Sequence, residues 1–250
     1  MRGIGLFLVL LLGSITAAVF AFEPLLDLQI AAYFQQPDVK DLLHWLNPYL
    51  AAIRDHSTAL TVFFTLLPVC SILVKLIWPQ GPMLVPARAA FLIIATFALA
   101  PGLLANGILK SHWHRPRPAA IVEFGGTQAF VPWWDPRGAC SRNCSFVSGE
   151  ATAAFALLAP AVVVPSPWRY PAIGAVVAYG TGISLVRVAF GRHFLTDVIF
   201  SALFAALIVW LLHGFIYRWK WTRLTEASAE RLIEKAGLAL RPKRPSSQTG

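Results

Sequence analysis

Three short stretches of this 250-residue chain hold side chains whose types and spacing could do chemistry together. Toward the C-terminal end, Arg187 is followed after five residues by His193, and after three more by Asp197. A neutral imidazole can attack an electrophile. A nearby carboxylate can fix its tautomer and stabilise the cation that forms, and a guanidinium can clamp an oxyanion. On a helix, His193 and Asp197 would lie one turn apart on a shared face. Upstream, Lys110 is followed after six residues by Arg117 and Pro118, and Ser148-Gly149-Glu150 lies between the two groups. Lys110, Arg117 and Arg187 supply three cations for a dianion, with bidentate geometry available from the arginines. The N–H groups of Ser148 and Gly149 would sit at a helix N-terminus, a ready anion site, and Gly149 allows close backbone approach. Each group also has a plainer role: Lys110 and Arg117 as markers of a membrane edge, Ser148 as an N-cap.

The elements that must position these residues are apolar. The chain is 57% hydrophobic and only 13% charged, with mean hydropathy +0.62, against about 25% charged residues in a soluble domain. This composition is that of a membrane protein. The net charge of +9 suits nucleic acid or an anionic membrane. Eight of the 21 Lys and Arg fall in the last 33 residues and no basic-aromatic nucleic-acid module is visible, so the membrane is the expected partner. Six stretches near the ~20 residues a bilayer requires run over 4–22, 58–78, 87–109, 148–164, 170–188 and 194–217. The fold class expected is therefore an all-α, polytopic bundle of six transmembrane helices. The first stretch also has the look of a secretory signal, and its length favours a retained anchor. Residues 23–56 are amphipathic and predict a helix lying at the interface or capping the bundle, interrupted at Pro48. Residues 1–217 form the expected membrane domain and 218–250 a basic cytoplasmic tail, amphipathic over 224–240 and disordered beyond. That tail, with Arg2, Arg88 and Arg169, is placed inside by the positive-inside rule.

Six spans with both ends inside put the first, third and fifth connections outside. All three polar groups then reach one membrane surface, and scattered charges would have no need to segregate in this way. The third connection, 110–147, also holds Trp113, Phe130, Trp133 and Trp134, aromatics suited to headgroup depth. Three cysteines are too few for a disulfide framework. Cys140 and Cys144 fit either a bridge in an oxidising compartment or free thiols, and make a poor zinc site.

In these residues the chain resembles the type 2 phosphatidic acid phosphatases, which share a fold with vanadium haloperoxidases and glucose-6-phosphatase. Their signature has three blocks, K-x6-R-P, P-S-G-H and S-R-x5-H-x3-D. Here they read Lys110 to Arg117-Pro118, Val147-Ser148-Gly149-Glu150, and Val186-Arg187 through His193 to Asp197. The resemblance implies a metal-independent phosphomonoesterase with no cofactor. It makes His193 the nucleophile and Asp197 its orienting acid, with Lys110, Arg117, Arg187, Ser148 and Gly149 holding the phosphoryl oxygens. Three positions depart from the signature: Val147 stands for proline, Val186 for serine, and Glu150 for the histidine that protonates the leaving oxygen. Glu150 is the expected substitute acid, with His112 and His114 as alternatives.

The middle block and the Lys110–Pro118 stretch are similar to those of bacterial lipid A phosphatases. A phosphorylated membrane lipid is thus the expected substrate, met at the periplasmic face of a bacterial inner membrane. Undecaprenyl pyrophosphate and phosphatidylglycerophosphate are the alternative substrates. An anion transporter or a lipid-binding scaffold is the non-enzymatic alternative. Transporter sites lie near the bilayer midplane, whereas these polar residues lie at span ends.

Overall fold

The computed structural model describes residues 3–240; the expected disorder of 241–250, and Arg2, lie outside them. The chain is all-helical, and its described residues hold no strand, only an isolated bridge between Ile121 and Gln128. Helix α1 (Gly3–Phe22) is followed by the short α2 (Leu25–Tyr33) and by α3 (Pro37–Ile77). Helix α4 (Ala87–Phe97) widens into π-type turns over Ala98–Leu109 and ends in the single turn α5 (Lys110–His112). After a long loop come α6 (Gly149–Ala156), α7 (Leu158–Val163), α8 (Arg169–Ala189), α9 (Leu195–His213) and α10 (Glu226–Ala239).

Five helical stretches are long and apolar enough to cross a bilayer: Ile4–Phe22, Pro37–Ile77, Ala87–His112, Arg169–Ala189 and Leu195–Arg218. The sixth expected span is Gly149–Val163, shorter and broken between α6 and α7. The count of six is thus not met by helix length. Helices α6 and α7 are mostly buried and packed against α8, α9 and α4, so protein rather than lipid satisfies their surroundings and bilayer thickness does not set their length. Gly180 of α8 permits this packing, because a Cβ there would meet the Phe155 ring of α6 at 2.7 Å.

Pro48 does not interrupt its helix. Helix α3 runs unbroken for 41 residues with Pro48 and Pro68 inside it. Each proline removes one backbone hydrogen bond, a loss that a long helix anchored at its far end can absorb. The π-type turns of Ala98–Leu109 likewise contain Pro101, which has no N–H to give an α-helical ladder.

The C-terminal end of α3 is locked by a buried charge. Lys75, 2% exposed, donates to the Gly81 carbonyl at 2.8 Å and pairs with Glu230 at 2.7 Å and Glu234 at 2.9 Å, both on α10. Ala229 and Ile233 of the same helix pack against Ala87, Ile72 and Leu76. The amphipathic stretch expected over 224–240 thus turns Ala229 and Ile233 to the protein and leaves Leu232 and Leu238 exposed. Replacing both partners, Glu230→Gln with Glu234→Gln, leaves a buried ammonium with neutral acceptors and no anion. Loss on the order of 3 kcal/mol is expected, read as a lowered Tm of the detergent-solubilised protein.

Candidate active site

Each of the three sequence groups arrives on a different support, and the structure brings them together. Lys110 opens the turn that ends the π-type segment, and Gly149 opens α6. The two meet so closely that a Cβ on Gly149 would lie 3.2 Å from Lys110 Nζ and 2.8 Å from Asn106 Oδ1. Arg187 ends α8, and its Nη1 lies 3.3 Å from Glu150 Oε1. Lys110, Gly149 and Glu150 line a cavity of about 350 Å³, closed on its other side by Ser57, Thr58 and Thr61 of α3 and by Asn106. Arg117, Arg187 and His193 are not among its lining residues, and neither are His112 and His114, the alternative acids. Their Nδ1 atoms face the carbonyls of Ile108 and Cys140.

The loop after α5 is held by backbone pairing with the segment that precedes α6. Cys140 N–H donates to His114 O, Cys144 N–H to Lys110 O and Ser145 N–H to Arg115 O. Cys140 and Cys144 are bridged, with Cα atoms 5.7 Å apart, and between them Asn143 adopts φ +53°. Its side-chain oxygen accepts from Arg117 Nη2 at 2.8 Å and its carbonyl from Arg117 Nε at 3.2 Å, while Lys110 Nζ approaches the same side chain at 3.5 Å. Arg117 is thus fixed by amide oxygens, leaving its charge uncancelled. The aromatics expected at headgroup depth divide. Trp113 stacks on Phe146 and donates to the Trp133 carbonyl, and Trp133 packs on Phe200, so both serve the interior; Trp134 is exposed. Val147, where the signature has proline, is buried in the same cluster with Leu109 and Phe200.

His193 and Asp197 do not share a helix face as the spacing suggested. His193 precedes α9, and Asp197 is in the first turn of α9, its Oδ2 accepting from Phe194 N–H at 2.8 Å. Imidazole Nδ1 lies 2.8 Å from the Ser145 carbonyl and 3.6 Å from Asp197 Oδ2. A carbonyl only accepts, so Nδ1 carries the proton and Nε2 keeps its lone pair. Asp197 acts on the ring at one remove: its Oδ2 accepts from Ser145 Oγ at 2.5 Å, holding the residue whose carbonyl fixes the tautomer. Burial pushes the His193 pKa down; contact with Asp197 opposes this, and Lys110 and Arg117 add to it. The ring is therefore neutral near pH 7.

Sequence reasoning missed Arg115, Asp27 and Asn143. Arg115 is fully buried and reaches two carboxylates, Asp197 Oδ1 at 2.5 Å and Asp27 Oδ2 at 2.7 Å. A weak signal existed for Asp27: a lone acid among Leu25, Leu26 and Leu28 in a short helix that cannot bury a charge without a partner. Ser148 serves as the N-cap of α6, accepting from Ala151 N–H, which leaves its own hydroxyl hydrogen to give. Among the described residues no group of three or more His, Cys, Asp or Glu could hold a metal.

Comparison with known proteins adds to this geometry. The profile described as PAP2 superfamily matches residues 91–223, which contain every site residue named from the sequence. The chain belongs to the PAP2 superfamily. Its similarity to a protein named lipid A 4'-phosphatase from Francisella tularensis subsp. novicida is 30% identity over 203 residues, 80% of this chain and 90% of that one. A protein of the same name from Rhizobium leguminosarum is 38% identical over 160 residues, 59% of this chain and 69% of its own length. No solved structure gives a significant match. With its apolar helices this PAP2 protein is a multi-pass membrane protein.

The site makes two predictions. Gly149→Ala meets only side-chain ends, so the protein folds, but it pushes the Lys110 ammonium aside. Any phosphatase activity should fall on the order of a hundredfold with expression and Tm unchanged. The depressed His193 pKa places the acid limb of kcat/KM below the ~6.5 of a free imidazole. Arg117→Gln removes a cation that disfavours the imidazolium, so His193 protonates more readily and the limb moves to higher pH in a pH–rate profile.

Proposed function

We propose that the chain is a membrane lipid phosphatase of the lipid A 4'-phosphatase kind, which cleaves a phosphate monoester from a glycolipid headgroup. The observation that carries this reading is the gathering of Lys110, Arg117 and Arg187 around the N-terminus of α6, beside a buried, neutral His193 with Nε2 free. The relatives' names, over most of the chain's length, support the substrate class.

In the proposed reaction Nε2 of His193 attacks phosphorus in line, and the bond to the lipid oxygen breaks with its electron pair on that oxygen. The three cations, the Gly149 N–H and the Ser148 hydroxyl hold the other phosphoryl oxygens. Glu150 delivers the proton to the leaving oxygen. In the free protein Glu150 is engaged by Arg187, and its Oε2 is buried without a partner. An arriving phosphate competes for Arg187 and releases the Glu150 carboxyl toward the leaving oxygen. Water then attacks the phosphohistidine, with Glu150 taking its proton, to give inorganic phosphate and free His193. The chemistry runs on side chains alone, without a metal.

The Cys140–Cys144 bridge supports a site facing an oxidising compartment, the periplasm, from a bacterial inner membrane. The basic segment from Arg218 onward then lies on the cytoplasmic side as an appendage to the phosphatase domain of residues 1–217.

Purified protein in detergent, given a lipid A bearing the 4'-phosphate, should release phosphate in the presence of EDTA. Acid quench with 32P-labelled substrate should trap an acid-labile phosphoprotein, and His193→Ala should abolish both signals. Full turnover by His193→Ala, or complete inhibition by EDTA, overturns the mechanism. Release from undecaprenyl pyrophosphate but not from lipid A overturns the substrate class. Glu150→Gln should lower turnover and change the pH profile; an unaltered profile removes Glu150 from the proton step.

A further inference from the structure

The Asp27 carboxylate belongs to α2, outside residues 91–223 that the family profile covers, yet it reaches the centre of the site. It is 2% exposed, and both of its oxygens are engaged. Oδ1 accepts from Thr196 N–H at 3.1 Å, and Oδ2 accepts from Thr196 Oγ1 at 2.5 Å and from Arg115 Nη2 at 2.7 Å. Arg115 in turn donates through Nη1 to Asp197 Oδ1 at 2.5 Å and to Thr196 Oγ1 at 2.8 Å, and through Nε to the Val131 carbonyl at 3.0 Å. Asp197 and Thr196 both lie in the first turn of α9, directly after His193.

Counting charge gives this arrangement its meaning. One buried guanidinium serves two buried carboxylates. Neutrality and packing would be met by Arg115 and Asp197 alone, and a second carboxylate adds repulsion that a purely structural network has no reason to carry. With only that pair, the charge of Asp197 would be cancelled where His193 needs it. Attack by Nε2 while Nδ1 keeps its proton turns the ring into a cation, and the nearest anion is Asp197 Oδ2 at 3.6 Å. The other charges acting on the ring, Lys110 and Arg117, are positive and oppose that cation.

We propose that Asp27 is a positioning residue of the active centre: by holding Arg115 from the far side it returns to Asp197 the net negative charge that stabilises the His193 imidazolium. This rests on His193 being the nucleophile. Burial pushes the Asp27 carboxyl up, the Arg115 guanidinium opposes that, and Asp197 adds to the rise. The centre accordingly holds a strained anionic balance that charging of His193 relieves.

The test uses the full-length protein in detergent and the variant Asp27→Asn, which keeps shape and loses charge. Turnover should fall at least about tenfold with KM little changed, and formation of the 32P-phosphoprotein should slow in parallel. Loss of negative charge also makes His193 harder to protonate, so the acid limb of kcat/KM moves to lower pH. Asp27→Glu should return the limb toward its original position, whatever its overall activity. A purely structural role predicts otherwise: activity lost in proportion to folded protein, with an unmoved acid limb in both variants. That result, or a fully active Asp27→Asn, overturns the proposal. If His193→Ala is inactive while Asp27→Asn is normal, only this inference falls. If His193→Ala is active, the nucleophile assignment falls first.

Discussion

A guanidinium withdrawn from water costs several kcal/mol unless its donors and charge are answered, and Arg115 is withdrawn completely. What answers it fixes the geometry around it: Asp197 and Thr196 at the start of α9, Asp27 on α2, and the Val131 carbonyl of the long loop. Three parts of the chain, α2, the start of α9 and the long loop, are tied to one planar group. Because Asp197 also binds Ser145 and the Phe194 N–H, the same tie sets the orientation of the His193 ring. Without it, the turn before α9 would have no reason to present Nε2 to the cations.

Those cations are arranged in the opposite spirit. Arg117 is held by amide oxygens of Asn143 and Lys110 approaches the same side chain, so position is supplied without neutralisation. Burial pushes the Arg117 pKa down and Arg192 adds to it, while at Lys110 burial is joined by repulsion from Arg117 and Arg187. Arg187 has one carboxylate, Glu150, at 3.3 Å, and its Nε is buried without a partner. A phosphate dianion would relieve this crowding, so part of its affinity comes from repulsion already present.

The residues proposed to face the substrate were legible in the sequence, because reaction chemistry dictates their types and their order along the chain. Lys110, Arg117, Ser148, Gly149, Glu150, Arg187, His193 and Asp197 could all be named from spacing and resemblance. What holds them was not legible. Asp27 and Arg115 are separated by 88 positions and meet only through the fold, and nothing local marks either as a partner of the other. Asn143 depends on a bend set by the Cys140–Cys144 bridge, a pairing the sequence left open. The helices followed hydropathy well except where protein replaces lipid as the surroundings. There α6 and α7 fell short of a span and α10 turned inward, whereas α3 ran through Pro48 along an exposed stretch.

The length of α3 has a consequence of its own. At 1.5 Å per residue its 41 residues extend about 60 Å, roughly twice the hydrocarbon thickness of a bilayer. Its C-terminal end is pinned through Lys75, and Ser57, Thr58 and Thr61 near its middle wall the cavity. The remaining turns, with Trp45 and Tyr49 exposed, exceed what one crossing of a bilayer needs and run on past the cavity. On the proposed reading, that surplus length would flank a molecule anchored by its acyl chains before the headgroup reaches the cations.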